Sequence, residues 1–450
     1  MKRDIVQQIA IWQKKVVRKP LILQGARQVG KTYILKKYAK EYFSNVHYFD
    51  LEKSRDEFIS IFEGKTLDPH EIIKKLEFIT QQTINLKKDV VIFDELQAIP
   101  RAITSLKYFH EEIPELAIMS AGSNLGVVLS NSPFPVGKVE CMTMYPMTFL
   151  EFLRGTKETA AYNFVTNFSP ELRIDDFYHS KLLDLLKNYF VTGGLPEVVD
   201  VYRKNKNNLL EAFSEVRDIQ EQLILHYERD FSKYAEGTNA RHIERIFRSI
   251  PSQLSSASDK SSPKFKFKNV ISKGFRSYEA LADPIDWLIK AGLVIKLPIV
   301  EHPAIPLKQS VNESKFKLMM FDIGILGAMV KLTPQMILNH DYGSYKGYFV
   351  ENFILSELIS YGYDSIANWQ GRTSEVEFVL PTESGEIIPI EVKAGINTKA
   401  KSLAVYIAKY SPELAVKFTP KKYGTIGITH TYPLYMVSIF NKALKDKSYC

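Results

Sequence analysis

The sequence predicts an α/β fold, and three observations carry that prediction. Short apolar runs alternate with helical patterns over the first 150 residues, which is the signature of a parallel sheet covered on both faces. Between the first run and the first helix lies Gly25-Ala26-Arg27-Gln28-Val29-Gly30-Lys31-Thr32, a match to G-x-x-x-x-G-K-[ST]. Near the other end, a helix followed by three strands carries Glu351, Glu377, Glu391 and Lys393, the outline of a second α/β domain.

The strands of the first sheet are expected at 21–24, 46–50, 90–94, 116–121 and 139–145, with a helix over 33–43 after the glycine-rich turn. In such a turn, backbone N–H groups and the positive end of the helix dipole surround phosphate oxygens. Gly25 and Gly30 permit angles and close approaches that a Cβ would block. Lys31 is expected to reach the outer phosphates and the Thr32 hydroxyl to hold Mg²⁺. A chance match in a strand-to-helix turn is the alternative, but every fixed position is filled and the strand–loop–helix context is present.

The third strand runs Val90-Val91-Ile92-Phe93 into Asp94-Glu95, the Walker B form. A strand buried on both faces delivers Asp94 to the sheet edge beside the phosphate loop, where it can join the Mg²⁺ shell. Glu95 is then the general base for the attacking water, unless the two acids are simply solvated. The fourth strand ends Ala121-Gly122-Ser123-Asn124. Asn124, with Ser123 behind it, is the candidate to orient the water or meet the γ-phosphate; an ordinary turn is the alternative. No N-K-x-D pattern for reading guanine follows, since Asn205-Lys206-Asn207-Asn208 lacks the acid.

Bulk properties exclude several classes. At 450 residues the chain is too long for one core, and its 45% hydrophobic and 24% charged composition is ordinary for a globular protein. The two cysteines, Cys141 and Cys450, suit neither a disulfide framework nor a zinc site, so a cytoplasmic location is expected. No signal-peptide core or membrane-length apolar run occurs, and no membrane partner is expected. The net charge of +8 is uneven: residues 241–310 carry 12 Lys and Arg against 6 Asp and Glu, and residues 391–450 carry 10 against 3. An anionic partner such as DNA fits this distribution, as does a solvated basic surface.

Beyond residue 150 the pattern turns helical. Leu209, Leu210, Phe213, Val216, Ile219, Leu223 and Ile224 recur at three- and four-residue steps, and Gly193-Gly194 separates this helix from the one before. A helical lid is the simplest reading, with Pro196-Glu197 at its core turn. Between 242 and 300, two helical stretches, the second begun at Ser277, lead into a strand at 291–295 with interleaved Arg and Lys. This succession resembles a winged helix, a fold that binds DNA or only proteins. In the last section a helix over 346–361 carries Glu351, and strands over 366–370, 375–380 and 385–393 follow, the last ending Glu391-Val392-Lys393.

Taken together, the first motifs resemble the bacterial and archaeal AAA-type ATPases of the AAA_14 kind, whose C-terminal part is the domain of unknown function DUF4143. The phosphate loop, Phe93-Asp94-Glu95-Leu96-Gln97 and Gly122-Ser123-Asn124 carry the resemblance, with Phe134-Pro135-Val136-Gly137-Lys138 and Tyr145-Pro146-Met147-Thr148-Phe149. Gly193-Gly194-Leu195-Pro196-Glu197-Val198-Val199 and Tyr227-Glu228-Arg229-Asp230-Phe231 extend it, so the likeness spans about residues 15 to 420. It implies ATP with Mg²⁺ as the ligand. Lys138 stands where many members carry Arg, which puts a planar fork at that position in doubt. Arg154, Arg229 and Arg241 are the candidates for an arginine finger, each also readable as a surface or packing residue.

The C-terminal acids resemble the PD-(D/E)xK nuclease constellation. On that resemblance Glu377 and Glu391 bind a divalent metal, Lys393 activates water and Glu351 supports the metal shell. Glu377 stands where Asp is common, which moves the carboxylate by about 1 Å and puts cleavage in doubt. The expected organisation is a P-loop NTPase core at 15–150, a helical lid at 151–235, a winged-helix-like region at 236–305 and a restriction-endonuclease-like α/β domain at 306–450. The expected function is an ATP-binding and ATP-hydrolysing protein whose nucleotide cycle controls the nuclease-like domain. The alternative is a nucleotide-gated scaffold or sensor whose nuclease-like domain is inactive. Homo-oligomers and a protein partner are compatible with either.

Overall fold

A computed structural model describes residues 1–64, 66–123, 125–128, 134–169, 173–234, 237–255, 264–270, 278–339, 346–395 and 401–446. The chain divides into two compact units, Met1–Tyr145 with Lys290–Gly292, and Pro146–Ile289 with Leu293–Cys450.

In the first unit, β1 (Leu21–Gln24), β2 (Val46–Asp50), β3 (Val90–Asp94), β4 (Ala117–Ala121) and β5 (Glu140–Thr143) form one sheet in the order β2-β3-β4-β1-β5. Every pairing is parallel. All five residues of β3 and of β4 are buried, as expected of central strands sandwiched by helices. By contrast β2, at the sheet edge, alternates half-buried and buried residues, which puts Val46, Tyr48 and Asp50 on one face and His47 and Phe49 on the other. Phe93 anchors the core: its ring lies 6.0 Å from Phe49, 5.8 Å from Phe62 and 6.3 Å from Phe109, centroid to centroid. A helix over Ile5–Gln13, outside the expected core boundary, buries Ile9 and Trp12 completely, and Trp12 Nε1 donates to Lys19 O at 2.7 Å.

The second unit opens with helices. Thr148 and Glu151 form a reciprocal capping box that starts the helix Phe149–Gly155. Helices Asp176–Thr192, Pro196–Asn205 and Leu209–Tyr234 follow, so Gly193-Gly194 precedes an additional helix rather than the long one the periodicity suggested. Pro196 sits at that helix's first turn, where its missing N–H costs nothing. Gly193 has φ +68°, and a Cβ there would meet Asp322 Oδ1 at 2.3 Å. Asp322 is fully buried, accepts from Gly194 N at 2.7 Å and Ile325 N at 2.9 Å, and so ties two segments of this unit together.

The rest of this unit carries a second, mixed sheet. Its strands are β6 (Val294–Val300), β7 (Phe316–Met320), β8 (Ala367–Gln370), β9 (Glu375–Pro381), β10 (Ile387–Val392), β11 (Ala415–Thr419), β12 (Gly424–Ile426) and β13 (Thr429–Pro433). They lie in the order β12-β13-β11-β10-β9-β8-β6-β7. The strand expected to close a separate winged-helix region is β6, and it pairs in parallel with β8 at Ile299–Asn368 and antiparallel with β7. The hairpin therefore extends the C-terminal sheet. The preceding helix begins at Ala282, and Ser277, expected to start it, lies outside the described residues. Helix Lys346–Ser360 precedes β8, and Lys401–Tyr410 joins β10 to β11. Among the described residues no helix is long and apolar enough to cross a membrane.

Candidate functional site

The phosphate loop leaves β1 at Gln24 and enters the helix Lys31–Tyr42. Gly25 has φ +144° and lies so close to β5's end that a Cβ would meet Met144 O at 2.1 Å. Gly30, at φ 95°, caps the helix in the left-handed conformation, and Gln28 also has a positive φ of 67°. Alternating backbone hand in this way turns consecutive N–H groups toward one concavity, the geometry of an anion nest.

Lys31 is 8% exposed, and its ammonium donates to the loop's own carbonyls, Gly25 O at 2.9 Å and Ala26 O at 2.8 Å. Burial pushes its pKa down to about 8, opposed by Glu95 and Asp94. A buried ammonium resting on neutral carbonyls is under-compensated, which is the chemistry a polyanion satisfies. Thr32 Oγ1 donates to Asp94 Oδ1 at 3.1 Å, so the hydroxyl and the carboxylate expected to share Mg²⁺ meet across the loop and β3. The residues therefore fit both nucleotide and metal.

Asp94 has two more partners. Its Oδ1 accepts from Glu95 N at 3.1 Å, and its Oδ2 accepts from the Tyr48 hydroxyl at 2.7 Å. Burial, then the bond to Asp94, hold the Tyr48 phenol well above its usual pKa, so it remains a donor. Glu95 leaves the strand with φ 49°, and its Oε2 accepts from Gln97 Nε2 at 2.5 Å and Ser123 Oγ at 3.3 Å. β4 lies between β1 and β3, which places Ser123 beside Glu95. Asn124, the expected water-orienting residue, lies outside the described residues.

Three members of this site were not legible as such in the sequence. Arg3 donates to the Val29 carbonyl of the loop at 2.9 Å and to Tyr145 O at 2.6 Å, 26 and 142 residues away in the chain. Tyr48 is marked only by strand alternation, and Gln97 only by its place in Phe93–Gln97. Among the cations considered for an arginine finger, Arg229 and Arg241 are exposed, and Arg154 lies 5.6 Å from the Tyr162 ring centroid. Lys138 pairs with Glu111 at 2.9 Å.

In the second unit, Glu351, Glu377, Glu391 and Lys393 come together, with additions. Lys393 Nζ lies 2.5 Å from Glu391 Oε1 and 3.1 Å from Glu377 Oε1, while Glu377 Oε2 accepts from Val392 N at 3.0 Å. On β7, Lys317 is 2% exposed, and its ammonium lies 2.5 Å from Glu375 Oε1 and 3.9 Å from Glu351 Oε2. Each ammonium thus bridges two carboxylates. Burial pushes the Glu351 and Glu391 carboxyls up, with Glu377 adding to both. Among the described residues no three His, Cys, Asp or Glu side chains are grouped so as to hold a metal ion. The residues expected as ligands, Glu351, Glu377 and Glu391, gather in one cluster in which Lys393 pairs with Glu377 and Glu391 and Lys317 with Glu351 and Glu375. Neither Lys317 nor Glu375 was expected there.

Comparison with known families finds three matching regions in the chain. Residues 17–153 match the family described as an AAA domain, and residues 183–336 and 346–436 match domains of unknown function, DUF8612 and DUF4143. No curated protein matches the chain. Among solved structures, a Walker-type ATPase of Pyrococcus abyssi is similar at 14% identity and a TM-score of 0.46, over 73% of this chain and 95% of that one. The Orc1 protein of Aeropyrum pernix, solved in complex with DNA, is similar at 13% identity and a TM-score of 0.31, over 73% and 90% of the two chains. The Holliday junction branch migration motor RuvB of Thermotoga maritima is similar at 11% identity and a TM-score of 0.31, over 66% and 90%. Residues 17–153, with the phosphate loop on the parallel sheet, are thus an AAA-type P-loop region, and residues 346–436 match DUF4143.

Proposed function

We propose that the chain binds Mg-ATP at residues 25–32 and hydrolyses it, with Glu95 as the general base. The observation that carries this reading is the buried Lys31 ammonium on the Gly25 and Ala26 carbonyls, next to the Thr32–Asp94 pair. When nucleotide arrives, Lys31 exchanges those carbonyls for phosphate oxygens, and the loop N–H groups between Gly25 and Thr32 cradle the rest. Thr32 and Asp94 would hold a magnesium ion, and its charge would offset the negative charge on the phosphates. Glu95 takes one proton of the attacking water as its oxygen bonds to the γ-phosphorus, the bond from that phosphorus to the β–γ bridging oxygen breaks and ADP leaves, and Gln97 and Ser123 keep the carboxylate oriented. Asn124 is the proposed partner for the same water.

The nucleotide cycle is proposed to control the DUF4143 region, and the lysine-rich stretches at 241–310 and 391–450 support DNA as its partner. Order and direction of β8 to β11, with Glu391 and Lys393 at the end of β10, support a nuclease-like ancestry for this part. A second reading, in which that site contacts partners without cleaving, is favoured by the ammonium groups of Lys317 and Lys393 among the carboxylates. Two assays separate the readings. ATP turnover of the purified chain is measured with and without DNA, and stimulation supports a DNA-directed cycle. DNA cleavage with Mn²⁺ and ATP is compared between the unaltered chain and Lys393→Ala. Loss of cleavage in the variant supports a nuclease, and no cleavage by either supports the scaffold.

A further inference from the structure

We infer that Tyr48 is a positioning residue that sets the magnesium affinity of the nucleotide site, through the oxygen of Asp94 that Thr32 does not use. This rests on the reading of residues 25–32 and Asp94 as a Mg-ATP site. Tyr48 lies on β2, whose register with β3 pairs Tyr48 with Ile92 and Asp50 with Asp94. Alternation along β2 puts the Tyr48 side chain on the same face as Asp50, and its hydroxyl reaches Asp94 Oδ2 at 2.7 Å.

The Asp94 carboxylate is only 4% exposed, and its two oxygens are unequally supplied. Oδ1 accepts from both Thr32 Oγ1 and Glu95 N, each at 3.1 Å, whereas Oδ2 accepts from Tyr48. Two bonds on one oxygen leave rotation of the carboxylate about its Cβ–Cγ axis to be stopped at the other, and the phenol supplies that stop. A carboxylate already turned to its working angle binds a cation without first losing torsional freedom. Partners of this outer kind are worth roughly 10–100-fold in metal affinity. Lys36 strengthens the arrangement. Its ammonium lies 3.3 Å from the Tyr48 ring centroid, where it holds the ring in place and draws electron density from it, making the hydroxyl a better donor.

Tyr48→Phe keeps the ring and the Lys36 contact and removes only the hydroxyl. The test uses the full chain and calorimetric titration with a non-hydrolysable ATP analogue over a range of MgCl₂ concentrations, so turnover is not the readout. For the unaltered chain, analogue affinity rises with Mg²⁺ to a plateau. In Tyr48→Phe the Mg²⁺ concentration at half of that rise is expected to increase about tenfold, while affinity in EDTA stays the same. In Lys36→Met it is expected to increase about twofold or more. A Tyr48→Phe midpoint within a factor of two of the unaltered chain overturns the inference while leaving the Mg-ATP reading intact. A chain with no Mg²⁺-dependent affinity at all overturns both. If Tyr48→Phe does not give a cooperative melt, Lys36→Met decides, and an unchanged midpoint there counts against the proposal.

Discussion

The Thr32 hydroxyl donates to Asp94 Oδ1 across 3.1 Å, joining the end of the phosphate loop to the end of β3. The two residues are 62 positions apart in the chain, and β4 runs between the strands that deliver them. Their meeting brings two separate sequence patterns together in one place, the site proposed above for a metal-bound triphosphate.

Lys31→Ala is expected to abolish Mg-ATP binding. The ammonium is the buried charge that rests on the Gly25 and Ala26 carbonyls, and an alanine there supplies no cation to the phosphates. Calorimetry checks the loss, and thermal melting checks that the fold survives. Retained affinity within a factor of ten places the phosphates elsewhere.

Glu95→Gln is expected to bind ATP as before and to turn it over roughly 10²–10⁴-fold more slowly, the usual worth of a positioned general base. The amide still reaches Gln97 and Ser123 but accepts no proton. Unchanged single-turnover hydrolysis assigns the water to another residue.

ATP affinity is expected to fall as pH rises above about 8. Burial pushes the Lys31 pKa down to about 8, and phosphate oxygens beside the ammonium are expected to raise it. The protonated form binds, so affinity is full below the free value and declines as pH climbs through it toward the value in the complex. The slope approaches about one decade per pH unit, because one proton is taken up on binding. Titrations at pH 8.5 in buffers of different ionisation enthalpy read that uptake directly. A flat affinity from pH 7 to 9.5 contradicts it.

Lys317→Met is expected to destabilise the second unit by roughly 3–5 kcal/mol, since one partner of a buried ion pair leaves while the other stays. The loss is expected to shrink as pH falls, because the Glu351 carboxyl, pushed up by burial, can then take up a proton in place of the ammonium's charge. Denaturant unfolding at pH 5.5 and pH 8 checks both parts. A variant as stable as the unaltered chain at pH 8 shows that the bridge at 2.5 Å to Glu375 contributes little.

Local pattern carried much of the first unit. The limits of β1, β2 and β3 coincide with those read from the sequence: β1 and β3 because central buried strands are largely apolar, β2 because an edge strand alternates half-buried and buried residues. The helix after the loop begins at Lys31, two residues earlier than its periodicity suggested, because Gly30 caps it in the left-handed conformation. What escaped was contact between residues far apart in the chain. Arg3 precedes every recognisable motif, yet its guanidinium holds the Val29 carbonyl. Tyr48 looks like any half-buried strand residue until register with β3 puts it beside Asp94. In the second unit the Glu-x-Lys pattern marked Glu391 and Lys393, but Lys317 lies 58 residues before its partner Glu375, in a stretch of the same expected domain that no motif marked. The strand β6 misled for the same reason, since only pairing with β8 assigns it to the C-terminal sheet.

The most direct test is a calorimetric titration of the well-folded chain with Mg-ATP. Saturable binding at one site per chain, lost in Lys31→Ala, is the predicted result. An absence of both heat and saturation from chain that melts cooperatively would contradict the assignment of residues 25–32.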